Sequence, residues 1–259
     1  MREVRLTQIL QQLGDNGFVK VSELSEILGV SKVTIRADLE YLEQMKKCRR
    51  TRGGATLPAG VNEPPTPYSL RETLLTAEKR AIGKKAAQLV EDRDIIILDA
   101  STTVSAMAIA LRNREDLNRL TVITNGLGVM NELIRCRHIQ LICLGGTGLP
   151  ESNCFVGPIA EQQLAGLRAN KAFISPHGLT LERGLGDWSL YEASIRRTMI
   201  KAAEKLYILA DHSKFDIPSP FTIAPVHPLT GFVTNEPVAS KWLVSDSCTP
   251  EVLVAASKS

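Results

Sequence analysis

Residues 22–57 read SELSEILGVSKVTIRADLEYLEQMKKCRRTRGGATL. The order is a helix, a glycine turn, a second helix and a basic hairpin. This is the layout of a winged helix-turn-helix, in which one helix enters the DNA major groove and the hairpin grips the backbone beside it. Apolar periodicity extends the pattern to three helices. Leu6, Ile9, Leu10 and Leu13 fall at i, i+3, i+4 and i+7 and predict one buried stripe. Gly14 and Gly17, with Asp15 and Asn16 between them, are expected to stop that helix. Ser22 is a candidate cap for the next, with Leu24, Ile27 and Leu28 facing inward. Gly29 suits a left-handed C-cap, which only glycine adopts cheaply. Ser31 is expected to cap the third helix, whose inner face is Ile35, Leu39 and Leu42. Lys32, Thr34, Arg36 and Ala37 are left near its start, where recognition helices meet bases and phosphates.

The hairpin carries Lys46, Lys47, Arg49, Arg50 and Arg52, with Gly53-Gly54 as the turn signal. A basic hairpin behind a recognition helix is an electrostatic clamp for phosphates; by itself such a run is a solvated surface loop. Charge bookkeeping favours the clamp. Residues 1–60 hold ten of the 31 basic residues and seven of the 28 acidic ones, an excess equal to the net +3 of the whole chain. The neutral remainder argues against a second nucleic-acid surface.

These residues resemble the N-terminal signature of the DeoR family of bacterial transcriptional regulators, whose helix reads V-S-x-x-T-I-R-x-D-L and whose wing ends R-x-H-G-G-A. Val30, Ser31, Thr34, Ile35, Arg36, Asp38 and Leu39 match, as do Arg50, Gly53, Gly54 and Ala55. Ala37 stands where the family often has a second Arg, which bears on base contacts and not on the fold. Lys46, Cys48 and Arg52 also depart from common family residues. The resemblance implies that Ser31, Lys32, Thr34 and Arg36 lie in the groove and that Lys47, Arg49, Arg50 and Arg52 meet phosphates. Asp38 is expected in a helix-surface ion pair, because a carboxylate next to DNA would repel phosphate.

A chain of 259 residues fits one large domain or two. Hydrophobic content of 44% and charged content of 23% are ordinary for a globular protein. No apolar run is long enough for a transmembrane helix, and the start MREVRLTQIL lacks the apolar core of a signal peptide. A cytoplasmic protein without membrane attachment is expected. The cysteines (48, 136, 143, 154 and 248) and histidines (138, 177, 212 and 227) lack disulfide or metal-ligand spacing. Neither a metal nor a cofactor is expected. Cys143, in the apolar run IQLICL, is expected in the core. Pro58, Pro64, Pro65 and Pro67 mark a semi-extended linker. The expected division is therefore a winged helix-turn-helix at 1–57, a linker at 58–73 and a larger domain at 74–259.

From residue 74 onward, short apolar runs (DIIILD, LTVIT, IQLICL, KAFIS and LYILAD) alternate with helical patterns. That alternation predicts an α/β domain with a mostly parallel sheet and helices on both faces. Ligands of such sheets sit at the carboxyl ends of strands. Polar residues fall there: Asp99 to Thr103, Thr124 to Gly126, Gly145-Gly146, and Asp211 to Lys214. Hydroxyls and free N–H groups at a helix start, as in Ser101-Thr102-Thr103, suit an anion. Each element alone is a common cap or turn; together they point to one phosphate-bearing pocket.

The blocks EKRAIGKKAA, DASTT, VITNG, LGG, FVGP, GLTLERGL, EASIRRTMI and ADHSKF resemble the DeoR sensor domain, which is itself similar to ribose-5-phosphate isomerase. The resemblance implies a phosphorylated sugar or polyol as effector. Asp99, Ser101, Thr102 and Thr103 would form the phosphate loop and Lys214 would add positive charge. Asn125, Gly146, Asp187 and Glu192 would line the sugar. His177 and Thr180 stand where the isomerases carry two Asp residues, while Glu192 matches their Glu. His177 is expected to be a ligand contact that alters specificity. Proton transfer at a sugar needs carboxylates, so binding without turnover is expected and no catalytic residue is assigned. The implied function is a repressor of a carbohydrate or polyol operon, acting on operator DNA as a homo-oligomer, dimer or tetramer. The alternative is a sugar-phosphate isomerase or deaminase with an appended DNA-binding module.

Overall fold

The computed structural model describes residues 2–16, 18–45, 48–56, 66–226, 231–238, 242 and 251–255. Lys46, Lys47, Pro58, Pro64 and Pro65 lie outside them. The chain divides into two compact units, Met1–Leu75 and Thr76–Ser259.

The first unit opens with α1 (Arg2–Asn16), β1 (Phe18–Lys20), α2 (Val21–Ile27), α3 (Lys32–Gln44), β2 (Arg49–Thr51) and β3 (Gly54–Thr56). Ile9, Leu13, Leu24, Ile35, Leu39 and Leu42 bury one another. Each such side chain contributes roughly 1.5–3 kcal/mol over exposure. Gly29 takes the left-handed φ of 64° that the turn between α2 and α3 needs. Ser31 caps α3, its hydroxyl accepting the Thr34 N–H at 3.1 Å.

Two expectations fail in α2. Its N-cap is Lys20 and not Ser22, which lies within the first turn. The cause is β1, which the periodicity did not signal. It delivers Val21 buried, with its N–H donating to the Gly53 carbonyl at 2.7 Å, so that amide is satisfied without a serine. Ile27 is 62% exposed, because in so short a helix Val21, Leu24 and Leu28 fill the inner face. Asp38 also differs. It is buried, accepting from Arg2 Nε at 3.1 Å and Arg5 Nε at 2.5 Å, so it ties α1 to α3 across the core edge and is not a surface pair. This pairing raises the Arg5 pKa further above its ordinary value, chiefly through the Asp38 hydrogen bond.

The wing is a three-stranded antiparallel sheet in the order β1-β3-β2. Its turn is Arg52-Gly53, with Gly53 at φ 115°, and not the expected Gly53-Gly54. Gly54 has a separate reason to be glycine: a Cβ there would stand 1.9 Å from the Val19 carbonyl oxygen. Beyond the wing, α4 (Tyr68–Thr73) follows Pro67, so the expected extended linker is helical over its last part.

The second unit runs α5 (Thr76–Ala87), β4 (Ile95–Leu98), α6 (Thr102–Arg112), β5 (Leu120–Thr124), α7 (Leu127–Leu133) and β6 (Ile139–Cys143). A hairpin of β7 (Thr147–Leu149) and β8 (Cys154–Val156) precedes α8 (Pro158–Ala165) and β9 (Ala169–Ile174). Then come β10 (Gly178–Thr180), β11 (Gly184–Asp187), α9 (Leu190–Ala202), β12 (Ala203–Leu209), β13 (Phe221–Ala224), β14 (Gly231–Thr234) and β15 (Glu251–Val254). Seven strands form a wholly parallel sheet in the order β15-β14-β12-β9-β4-β5-β6. Successive strand residues serve opposite faces, which is why the strands read as continuous apolar runs. Ile96 and Leu98 pack with Ile82, Met107 and Leu133 of α5, α6 and α7. Ile97 packs with Leu164 and Met199 of α8 and α9 on the other face.

Strand order fixes where a ligand can sit. From β4 the chain steps outward to β5 and β6, then returns to place β9 on the other side of β4. The connections leaving β4 and β9 diverge to opposite faces and open a crevice at their carboxyl ends. Cys143 is exposed and not in the core as expected, because β6 is the edge of the sheet. Helix α9 ends at Ala202, and residues 203–205 start β12. Residues after Phe215 supply β13, which joins β10 and β11, and the strands β14 and β15. No helix among the described residues is long and apolar enough to cross a membrane.

Gly54→Ala should destabilise the first unit by at least about 1–3 kcal/mol, since overpacking against backbone cannot relax cheaply. Urea unfolding checks this; unaltered stability would contradict the β1–β3 register.

Candidate functional site

The outer surface of the first unit is built by α3 and the wing. Lys32, Arg36 and Ala37 are exposed, as are Arg50 and Arg52. Ser31 and Thr34 are partly committed to the cap, with their hydroxyl oxygens 2.9 Å apart. Arg49 is half-buried. The Arg50 N–H donates to Glu43 at 2.7 Å, and its guanidinium lies 3.9 Å from Glu40, so α3 and the wing are tied together. That exposed ion pair is worth little in water and can be exchanged for a phosphate. Lys47 lies outside the described residues. Behind the surface, burial pushes the Cys48 thiol up to about 11, so it remains protonated packing.

In the second unit, the switch-point crevice is organised by a residue that the sequence motifs did not single out, Arg196. It is 3% exposed. Its Nε donates to Asp99 at 2.8 Å, and its Nη1 donates to Asp187 and, at 3.4 Å, to Glu192. Burial alone would lower the Arg196 pKa, but Asp187, Asp99 and Glu192 outweigh it and raise the value. The carboxylates are satisfied further. Asp99 accepts the N–H groups of Ser101 at 2.9 Å and Ser175 at 3.0 Å. Asp187 accepts those of Trp188 at 2.7 Å and Ser189 at 3.2 Å, while Glu192 accepts the Ser152 hydroxyl at 2.6 Å. One side chain therefore holds together the ends of β4, β9 and β11 and the start of α9. Its signal in the sequence was a charge on the apolar face of α9, between Ile195 and Met199.

Around this cluster lie the other expected residues. Ser101 caps α6, accepting the Val104 N–H at 3.2 Å. The Thr102 and Thr103 amides then begin the helix, where N–H groups lack intrahelical partners. Thr103 Oγ1 and Asn125 Oδ1 are buried without a hydrogen-bond partner among the described residues. Asn125 Nδ2 donates to the Phe155 carbonyl at 2.8 Å, which leaves its oxygen to accept from a further donor. Asp99, Ala100, Asn125, Glu192, Ile195 and Arg196 line a narrow space, too small for a water-sized sphere. Lys214 Nζ donates to Ser175 Oγ at 2.6 Å and to the Pro176 carbonyl at 2.8 Å, bringing its charge to the same strand ends. His177 Nε2 accepts from Trp188 Nε1 at 3.1 Å, so that nitrogen bears no proton. Gly146 answers to packing: its φ is 148°, and a Cβ would lie 2.6 Å from the Val156 carbonyl oxygen. The Thr180 hydroxyl accepts the Arg183 N–H at 3.1 Å in the β10–β11 turn. Among the described residues, no group of three or more His, Cys, Asp or Glu is placed to hold a metal. The guanidinium sits among the three carboxylates where a cation would be drawn.

A DeoR-like helix-turn-helix domain matches residues 5–60, and a DeoR C terminal sensor domain matches residues 75–236. The chain belongs to the DeoR family. It is 35% identical to the HTH-type transcriptional repressor GlcR of Bacillus subtilis over 234 residues, 90% of this chain and 88% of that protein. It is 32% identical to the lactose phosphotransferase system repressor of Lactococcus lactis over 212 residues, 82% of each. These family relatives are transcriptional regulators, not enzymes. The solved ribose 5-phosphate isomerase A of Methanocaldococcus jannaschii matches 53% of this chain and 53% of that one, at 18% identity and a TM-score of 0.39. As a DeoR-family protein, the chain combines a DNA-binding unit with a sensor for a small-molecule effector.

Arg196→Ala leaves three buried carboxylates without their cation and should cost about 3–5 kcal/mol near neutral pH. Denaturant titration reads this loss; a cost under about 1 kcal/mol would contradict the charge cluster as a constraint on the second unit.

Proposed function

We propose that this chain is a repressor of a carbohydrate or polyol operon, controlled by a phosphorylated sugar or polyol. Residues 1–57 hold the operator, 58–73 link, and 74–259 sense the effector. The observation that carries the reading is the exposed surface of α3, with Lys32 and Arg36 at its start and Arg50 and Arg52 on the wing tied to it. A helix start flanked by guanidinium groups suits base edges and phosphates together. Ser31, Thr34, Arg49 and Lys47 complete the proposed contacts. The protein works in the cytoplasm as a dimer or tetramer on repeated half-sites.

Effector binding at the switch point is supported by chemistry that the protein leaves unfinished. The start of α6 offers Thr102 and Thr103 amides to an anion, and Lys214 brings its charge to the end of β9, the strand paired with β4. Asn125 Oδ1 asks for a hydroxyl donor, which a sugar or polyol supplies. Asp99, Ser101, Asp187 and Glu192 shape the site with Arg196, and His177 and Gly146 border it. Entry of a ligand requires side chains to move, because the space among the charged groups is closed. The names of two relatives, a repressor and a lactose phosphotransferase system repressor, support repression and carbohydrate as the theme. Turnover is disfavoured because the one carboxylate matching an isomerase base, Glu192, is engaged by Arg196 and Ser152.

Thermal unfolding against sugar and polyol phosphates should show stabilisation by one phosphate and not by its unphosphorylated parent. At about 100 times the dissociation constant the gain is about 2.7 kcal/mol. Lys214→Ala should weaken the phosphate and spare any parent binding; equal response to both would remove Lys214 from the phosphate site. In operator titrations, Arg50→Ala should lower affinity for all sequences alike and reduce the salt slope by about one. An unchanged slope would leave Arg50 as a brace to Glu40 alone.

A further inference from the structure

Over its first turn and a half the outermost face of α3 is apolar, not basic; Glu40 and Gln44 follow on the same face further along. At about 100° per residue, Val33 and Ala37 lie roughly 160° and 200° around the helix from the buried Ile35. Val33 is 71% exposed and Ala37 is exposed beside it, one turn on. Valine forms helix less readily than alanine, so a valine left 71% exposed gains little stability there. Lys32 and Arg36 flank the pair on one side, and the capped Thr34 lies on the other.

We propose that Val33, with Ala37 alongside, reads the 5-methyl group of a thymine in the operator and is a specificity-determining residue of this regulator. The inference rests on α3 being the recognition helix. In the major groove the thymine methyl is the apolar feature of the base-pair code, and small aliphatic side chains are its partners. Position suits this role: Val33 is in the first turn of α3, where recognition helices meet base edges. The small Ala37 side chain lets the helix approach the bases closely, while Val33 projects to the methyl. Charge distinguishes DNA from a second copy of the chain. An isologous contact through this face would bring Lys32 and Arg36 of both copies together, whereas phosphates on either side of a groove neutralise them.

The test uses full-length protein and a duplex selected by it from random sequence. Each thymine is replaced singly by deoxyuridine, which removes only the methyl, and affinities are measured for wild type and Val33→Ala. One thymine per half-site should lose about fourfold in wild-type affinity, the worth of burying one methyl. The same replacement should leave Val33→Ala unaffected. Val33→Ala should itself keep the wild-type melting temperature and subunit number. Methyl loss that weakens both proteins equally, at every thymine, overturns the assignment. A changed subunit number in Val33→Ala also overturns it and makes the residue a contact between copies. Lys32→Ala and Arg36→Ala separate the two levels. If both bind the selected duplex as wild type does, α3 is not the recognition helix, and the broader reading falls with this one.

Discussion

A guanidinium buried at the centre of a protein must be surrounded by anions, and Arg196 is the point on which the second unit depends. Desolvating such a charge costs several kcal/mol, which is offset only when geometry and hydrogen bonds are good. Here Asp99, Asp187 and Glu192 supply the charge, and N–H or O–H groups of Ser101, Ser175, Trp188, Ser189 and Ser152 satisfy their remaining oxygens. Because these groups come from β4, β9, β11, α9 and the turn before β8, the cluster pins the loops at the switch point relative to one another.

The parallel sheet was legible in the sequence because its strands are buried on both faces and read as unbroken apolar runs. The helices between them were legible from their periodicity. The short antiparallel pieces were not. Strands of three or four residues such as β7, β8 and β10 carry too few side chains for a period to show, and their pairing is decided by tertiary contact. Strand β1 was missed for the same reason, and with it the way α2 begins. The error at Ser22 follows: a serine before an apolar run signals a cap only where no neighbouring strand already binds the helix amides.

At the site, sequence resemblance identified most of the polar residues that the strand ends gather, but not the one that organises them. Asp187 and Glu192 stood out as sugar contacts, whereas in the fold both face Arg196. A charged residue at i+4 from an acidic one reads as an exposed helix pair. Only the apolar neighbours Ile195 and Met199 betray that Arg196 faces inward. Asp38 carries the same lesson on α3, where a carboxylate among Ile35, Leu39 and Leu42 is a buried tie to α1. The proposed effector site and the core architecture draw on the same side chains, so the proposal couples changes in effector preference to changes in stability at these positions.

The most direct measurement is operator affinity of the full-length protein, titrated with hexose and hexitol phosphates and with their unphosphorylated parents. The account predicts that one phosphate shifts operator affinity and its parent does not. The operator must then shift the affinity of that phosphate by the same factor, because coupling free energy is reciprocal. A phosphate that binds the protein but leaves operator affinity unchanged would contradict the account, since the strand-end site would then hold a ligand without sensing it for the DNA-binding unit.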